Sequence, residues 1–325
     1  MILYVLLLAA ALAGVIKSAS WFLKAVEIVG HRFNLPAFIL GVVLVGFGTS
    51  LPELATSIGS VAGGTHNVTI ANVIGSNMAN VLLVVGVSTF FLGTIKFRKN
   101  LIDLDLPHLF CVSVLFAILI ADGNLSLADG IVLLIGFLLY LLYSLTHASP
   151  GLGGGLFKIV KGLFDRPKNR SKKRAGSEHN LVLVFLGMAA SVVVLALSSR
   201  LVVVGLLEIA DRIDLAVDVV TFVTIAIGTS LPELLVTFKA LKKGQGDLVL
   251  GNIIGSSVFN ILLVGGLVSV IHTQFIDASI LLWSIVGLLT AAFVAILNGI
   301  TKEIHIWEGA VFIMIYIAII SKIVA

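Results

Sequence analysis

The chain carries one seven-residue string twice, Gly-Thr-Ser-Leu-Pro-Glu-Leu at residues 48–54 and again at residues 228–234. A second string follows each copy at matching distance, since Asn-Val-Ile-Gly-Ser at 72–76 becomes Asn-Ile-Ile-Gly-Ser at 252–256. Both matches share one offset, the sequence separation between Glu53 and Glu233, which also relates Asn80 to Asn260. Because the register never slips, the pattern indicates the internal duplication of a whole structural unit.

The sequence around these strings is strongly apolar. Hydrophobic residues make up 59% of the 325 residues and charged residues only 12%, a composition that excludes a soluble domain of this length. The apolar runs are long enough to cross a bilayer as helices, and they are apolar on all sides, which disfavours the alternating strands of a β-barrel. Ten spans are predicted, at 2–23, 36–62, 68–92, 103–121, 126–146, 180–203, 216–240, 248–271, 277–297 and 304–324.

We therefore predict an all-α polytopic membrane protein with ten transmembrane helices. Five spans precede and five follow a central segment that is glycine-rich at its start and basic at its end. This organisation divides the chain into a first five-helix repeat at 1–147, a cytoplasmic linker at 148–179 and a second five-helix repeat at 180–325. Because five is an odd number, the second repeat starts on the opposite side of the membrane, and the two repeats are inverted.

Lysine and arginine are distributed unequally between the two sides of the predicted bundle. Seventeen of the 21 lie on the side of the linker, and positively charged loops remain cytoplasmic. Both termini are therefore predicted to face outside, in a protein of the plasma (inner) membrane. Since topology explains the basic run 166–174, nucleic acid is not predicted as a partner.

Each repeated string has the composition of an interrupted helix that binds cations. Pro52 cannot donate to the carbonyl of Gly48, so we expect the helix to break just before Glu53, and Pro232 to act likewise before Glu233. Freed carbonyls can bind cations where they line a hydrated cavity. A carboxylate at the helix centre costs about 2.5–3.5 kcal/mol on insertion scales, and a bound divalent cation would remove that cost. The two glutamates are therefore the predicted centre of an ion site.

Neutral oxygen donors line the helix after each glutamate. They recur every fourth residue and form a polar stripe in each half, at Asn72, Ser76 and Asn80 and at Asn252, Ser256 and Asn260. Such donors suit calcium, which takes about six to eight oxygen ligands, whereas zinc or copper would find no cysteine or histidine here. The lone cysteine, Cys111, is predicted to be a small core residue.

The paired Gly-Thr-Ser-Leu-Pro-Glu and Asn-Val/Ile-Ile-Gly-Ser strings resemble the two alpha repeats of the sodium/calcium exchanger family, of prokaryotic type within the cation/calcium antiporter superfamily. The resemblance covers nearly the whole chain. It implies a secondary antiporter and not an enzyme, working as a single chain in membrane lipid without a cofactor. The implied transported ions are Ca²⁺ and Na⁺, which compete for overlapping sites during alternating access. The first helix of each half would be the moving gate.

The resemblance also implies roles for individual residues. Glu53 and Glu233 match the central acidic ligands, and Thr49 and Thr229 match positions whose carbonyls bind calcium. The hydroxyl and carbonyl ligands of the flanking sodium sites match Ser50, Ser76, Ser230, Ser256, Gly46 and Ala226.

Two further features bear on the coupling ion. Asn80 matches a neutral ligand, and Asn260 stands where several family members have an aspartate that potassium-coupled relatives use, so potassium dependence is not expected. The segment 251–256 lacks the extra acidic residue that proton/calcium relatives typically carry, which favours sodium. With hydroxyl groups able to hold more than two sodium ions per calcium, exchange is predicted to be electrogenic. The alternatives are a proton/calcium antiporter, through protonation of one glutamate, and a cation channel.

Overall fold

The computed structural model describes residues 2–33, 35, 37–64, 68–97, 105–147, 181–212 and 230–324. Within them lie ten helices: α1 Ile2–Phe33, α2 Ala37–Ala62, α3 68–92, α4 Asp105–Leu119, α5 Leu127–His147, α6 Leu181–Arg212, α7 Leu231–Lys242, α8 Gly246–Ile271, α9 Ala278–Thr301 and α10 Ile306–Val324. Four two-residue strands accompany them: β1 Ile95–Lys96, β2 Asn124–Leu125, β3 Gln274–Phe275 and β4 Glu303–Ile304.

The surface of the bundle is apolar. Eight of the described helices are long and apolar enough to cross a membrane, and α4 is a shorter apolar helix. Large side chains on the outside are 58–69% exposed, among them Phe91, Leu138, Leu186 and Met314. Such a surface is unfavourable in water and is covered by lipid tails in a bilayer. The chain is therefore a polytopic membrane protein, as its composition predicts.

The prediction that Cys111 is a core residue is wrong, because Cys111 is exposed on α4. A thiol behaves as a small apolar group, so lipid tails suit it as well as a protein interior does.

Among the described residues, the predicted spans differ from the helices mainly at two ends, and the first part of the span predicted at 216–240 lies outside those residues. α1 continues to Phe33 and α6 to Arg212, about ten residues past the ends predicted from hydropathy. In α1 the added part contains Lys24 and Glu27, which are good helix formers. Charged residues therefore end the apolar run without ending the helix. The linker at 148–179 lies outside the described residues.

The helices that carry the repeated strings surround one centre. α3 and α8 bury most of their residues, whereas α5 and α6 leave most of theirs on the outside of the bundle. α8 packs against α2, α3 and α7, while α1 and α6 pack on each other at the periphery. Glycine allows α2 and α8 to cross in close contact, because a Cβ on Gly255 would lie only 2.7 Å from the Cα of Val42. Backbones of α2 and α8 thus meet directly.

Two antiparallel strand pairs join the halves of the chain. β1 pairs with β4, with Ile95 opposite Ile304, and β2 pairs with β3, with Asn124 opposite Phe275. The offset between the repeated strings also maps β1 onto β3 and β2 onto β4, with a shift of at most one position. The two pairs are therefore equivalent elements, each made from one strand of each half.

Local sequence sets the ends of several helices. α3 ends at Leu92 and is followed by Gly93, whose φ of +92° favours glycine. Asp277 caps α9 by accepting hydrogen bonds from the N–H and the hydroxyl of Ser279 at 2.9 and 2.8 Å. These bonds, the backbone one foremost, hold the pKa of Asp277 below its ordinary value. The cap is therefore charged at neutral pH.

The expected break before Glu53 is wrong for the first half. α2 runs through Pro52 without interruption, and its irregular part is a π-helical segment at Leu40–Val45, before the repeated string. A transmembrane helix tolerates proline where neighbouring groups satisfy the freed backbone. In the second half, α7 begins at Leu231, so Pro232 lies in the first turn, where its missing N–H costs no helical hydrogen bond.

Candidate ion-binding site

Glu53 lies inside the bundle, in the middle of α2, with only 3% of its surface exposed. One turn earlier, the Thr49 hydroxyl donates to the carbonyl of Val45 at 3.0 Å. Because proline has no N–H, Pro52 leaves the carbonyl of Gly48 without its usual helical donor. Gly46 is required sterically, since a Cβ there would lie 2.7 Å from the backbone nitrogen of Ser256 on α8.

Glu233 is the counterpart of Glu53 in the second repeated string, lies in the first turn of α7 and is 1% exposed. Its helix begins next to Ser230, whose carbonyl accepts a hydrogen bond from the N–H of Leu234 at 2.9 Å. Two residues of the predicted site, Thr229 and Ala226, lie outside the described residues. All the other residues of that predicted site are buried.

The two glutamates form an electrostatically interacting pair. Their carboxyl groups lie near enough to repel one another when both are charged. Within the described part of the chain, no hydrogen bond of 3.5 Å or less reaches any of their four carboxyl oxygens, although the Thr49 hydroxyl lies close to the carboxyl group of Glu233. Buried carboxylates normally are paired or coordinate metal ions. The pair therefore requires either protons or a cation.

Neutral oxygen atoms are buried on the helices that pack against those of the two glutamates. The side chains of Ser76, Asn80 and Asn260 are at most 1% exposed, and their oxygens have no hydrogen-bond partner among the described residues. Ser50 donates its hydroxyl to the carbonyl of Ser256 at 3.5 Å, and Ser256 donates its own to the carbonyl of Asn252. A hydroxyl that donates in this way keeps its lone pairs for a cation. The arrangement offers carboxylate, hydroxyl and amide oxygens, the ligand types of hard cations.

Two features near the site were not predicted from the sequence. Ser57 and Thr237 lie one turn after each glutamate, are related by the same offset as the glutamates, and are fully buried. Their shared offset is a signal that could have identified them. The π-helical segments Ala79–Val84 and Asn260–Gly265, which have no such sequence signature, include Asn80 and Asn260. Because π turns concentrate at functional sites, their occurrence in both halves marks these asparagines.

Comparisons with known proteins agree on one family. The family model described as sodium/calcium exchanger protein matches residues 3–146 and 183–323. The chain is 31% identical over 308 residues to an uncharacterized membrane protein of Methanocaldococcus jannaschii, covering 94% of this chain and 93% of that protein. It is 27% identical to the sodium/calcium exchanger MaX1 of Methanosarcina acetivorans, covering 96% of each. A structure of the sodium-calcium exchanger NCX_Mj soaked with Na⁺ and Sr²⁺ matches with a TM-score of 0.78 at 27% identity, covering 98% of each chain.

Proposed function

The chain belongs to the sodium/calcium exchanger protein family, and on that premise we propose that it exchanges sodium for calcium as an electrogenic, potassium-independent secondary antiporter. Members of this family are transporters and not enzymes, so the chain is a membrane transporter of the cation/calcium exchange type. The observation that carries the finer proposal is the pair of buried carboxyl groups, Glu53 and Glu233, without hydrogen-bond partners among the described residues.

In the proposed site, calcium binds between the two glutamates and the carbonyls of Thr49 and Thr229. Sodium binds in flanking positions made by a further set of oxygen donors, Ser50, Ser76, Ser230, Ser256, Asn80, Asn260, Gly46 and Ala226. Two carboxylates balance the charge of one calcium ion, while sodium ions need the neutral oxygens as well. Because the sites overlap, each ion excludes the other, and this competition couples their transport.

Alternating access exposes the site first to one side of the membrane and then to the other. We assign the movement to α1 and α6, the first helices of the two halves. Their position supports this assignment, because they pack on each other outside the buried helices α3 and α8. A peripheral pair can move with less disruption of the core than a buried helix could.

We further propose that the two halves are inverted five-helix repeats, 1–147 and 180–325, with both termini outside and the linker 148–179 in the cytoplasm. The strand pairs support the inverted arrangement of the halves, and the distribution of lysine and arginine supports its orientation. With both termini outside, the connections that carry β1 and β4 lie on the inner side, and those that carry β2 and β3 lie on the outer side. The observed pairings join strands of the same side in both cases. A single chain in the inner membrane would be the functional unit.

Cysteine labelling tests this topology. In a Cys111→Ala background, Ser177→Cys in the linker should react with a membrane-impermeant maleimide only after the cells are opened. Asp122→Cys, next to β2, should react in intact cells. The background protein without cysteine is the control for labelling, and the reverse pattern would contradict the proposed orientation.

Asn260→Asp tests the neutral member of the site. We expect the variant to retain exchange and to gain pH dependence, because a third carboxylate is charged at high pH and neutral at low pH. As the pH rises from about 6 to 8, its half-saturating calcium concentration should fall at least about threefold more than that of wild type does. Asn124→Asp, the same change within the outer strand β2, is the control. A pH profile identical to that of wild type would place Asn260 outside the site.

The exchange itself is tested by calcium uptake into proteoliposomes loaded with sodium. We expect rapid uptake from sodium-loaded vesicles and none above background from vesicles loaded with choline. External potassium should change neither result. Equal uptake from both preparations would contradict exchange and would indicate a channel-like pathway.

A further inference from the structure

The buried and half-buried polar side chains near the proposed site fall into two sets. One set has no hydrogen-bond partner among the described residues, and its members are Glu53, Glu233, Ser76, Asn80 and Asn260. The other set is bonded to protein groups, and its members include Thr49, Ser57, Asn72, Thr237 and Asn252. The side chains of the first set form no hydrogen bonds to protein groups, whereas those of the second set are held by such bonds. The second set forms a frame around it.

Asn252 joins the two halves of the chain within this frame. It lies on α8 and is completely buried. Its Oδ1 lies 3.2 Å from the Thr49 hydroxyl of the first half and shares the hydrogen of that hydroxyl with the Val45 carbonyl. Its Nδ2 donates to the Thr237 hydroxyl of the second half at 3.5 Å. One amide therefore connects α2, α7 and α8 next to both glutamates.

Asn72 takes the equivalent place on α3. Its Nδ2 donates to the backbone carbonyl of Glu53 at 3.3 Å and lies 3.1 Å from the Ser57 hydroxyl, which accepts its second hydrogen. The offset that relates the two glutamates also relates Asn72 to Asn252 and Ser57 to Thr237. The contact between the amide and the hydroxyl one turn after the glutamate thus occurs in both halves.

We propose that Asn72 and Asn252 are positioning residues, which fix the backbone of the glutamate-bearing helices through Ser57 and Thr237 and are not ion ligands themselves. This inference rests on the proposed function, since it assigns the frame of the same site. Asn252 orients Thr49, whose carbonyl is a proposed calcium ligand, and Asn72 holds the peptide of Glu53. The amides of the polar stripes thus differ in role, because Asn80 and Asn260 remain free for ions.

The consequence is a fixed geometry for ligands that would otherwise repel one another. Groups that orient metal ligands contribute to affinity almost as ligands do, and their loss typically costs about 10–100-fold in metal affinity. Loss of the frame should therefore weaken calcium binding although it removes none of the ion-binding oxygens.

Thr237→Val tests this role because valine has nearly the same shape and lacks the hydroxyl. We expect its half-saturating calcium concentration to rise about tenfold, with correct folding shown by size-exclusion chromatography in detergent. Thr237→Ser keeps the hydroxyl and should stay within about twofold of wild type. Ser57→Ala and Ser57→Thr form the matching pair in the first half and should behave in the same way.

A double variant shows whether Asn252 and Thr237 affect calcium binding through one shared contact or independently. Asn252→Ala should raise the half-saturating calcium concentration at least as much as Thr237→Val. Adding Thr237→Val to Asn252→Ala should then have little further effect, because both changes remove the same contact. Multiplicative effects would overturn the positioning role.

The controls distinguish this inference from the proposed function. If wild-type protein exchanges sodium for calcium and Thr237→Val has the wild-type half-saturation, the positioning role is wrong and the proposed function stands. If wild-type protein shows no exchange at all, the proposed function is wrong, and the frame assigned to its site falls with it.

Discussion

Glutamine in place of either Glu53 or Glu233 is expected to abolish calcium exchange. Glutamine keeps the volume of the side chain and removes the charge that a divalent ion needs. Because these carboxylates would contact the ion, the loss in uptake should be at least about 100-fold, the upper end of the effect of losing an outer-shell partner. Initial calcium uptake into sodium-loaded proteoliposomes measures it.

The same variants should fold and insert normally. Each removes a buried carboxyl group that repels its neighbour, so thermal stability in detergent without calcium should equal or exceed that of wild type. Calcium at about 100 times its dissociation constant should stabilise the wild type by about 2.7 kcal/mol and the variants hardly at all. Glu303→Gln, which changes an exposed glutamate paired with Lys96 at 2.9 Å, is the control and should retain exchange. Wild-type exchange by either central variant would disprove the assignment of the site.

Membrane voltage is expected to shift calcium exchange strongly. If more than two sodium ions leave for each calcium that enters a vesicle, net positive charge leaves with them. An inside-positive potential then favours calcium uptake. Each net charge is worth about 2.3 kcal/mol per 100 mV, so the final calcium gradient should change about 50-fold per 100 mV.

Valinomycin and a potassium gradient set this voltage. High external potassium makes the vesicle interior positive and should increase uptake, and high internal potassium should decrease it. Identical potassium gradients without valinomycin are the control and should have little effect, because the exchange does not use potassium. A final calcium gradient that is independent of voltage would rule out electrogenic exchange.

Much of the architecture could be predicted because the bilayer constrains it. An apolar run of sufficient length has few structural alternatives, so within the described residues the spans agree with the helices except where charged residues such as Lys24 extend them. The internal duplication could also be predicted, since Glu53 and Glu233 lie in identical strings. Their burial without hydrogen-bond partners among the described residues supports the proposal that they form the centre of an ion site.

Features that depend on contacts between helices could not be predicted. Pro52 predicts a break only if nothing else satisfies the backbone, and in α2 the helix continues through it. The polar stripe gave Asn72 and Asn80 the same apparent role, because both are asparagines on one helix face. Their difference arises from what lies opposite, since Asn72 faces the Glu53 carbonyl and Ser57 of α2. Sequence spacing carries no information on that partner.

Opposing gradients of sodium and protons across one vesicle preparation would identify the driving ion. Vesicles loaded with sodium at high internal pH, in sodium-free medium of lower pH, place the sodium gradient outward and the proton gradient inward. An exchanger of calcium for sodium should accumulate calcium, and dissipating the proton gradient with an ionophore, at clamped voltage, should leave that accumulation unchanged. Calcium accumulation that instead follows an outward proton gradient, with no sodium present, would contradict sodium/calcium exchange and establish the proton/calcium alternative.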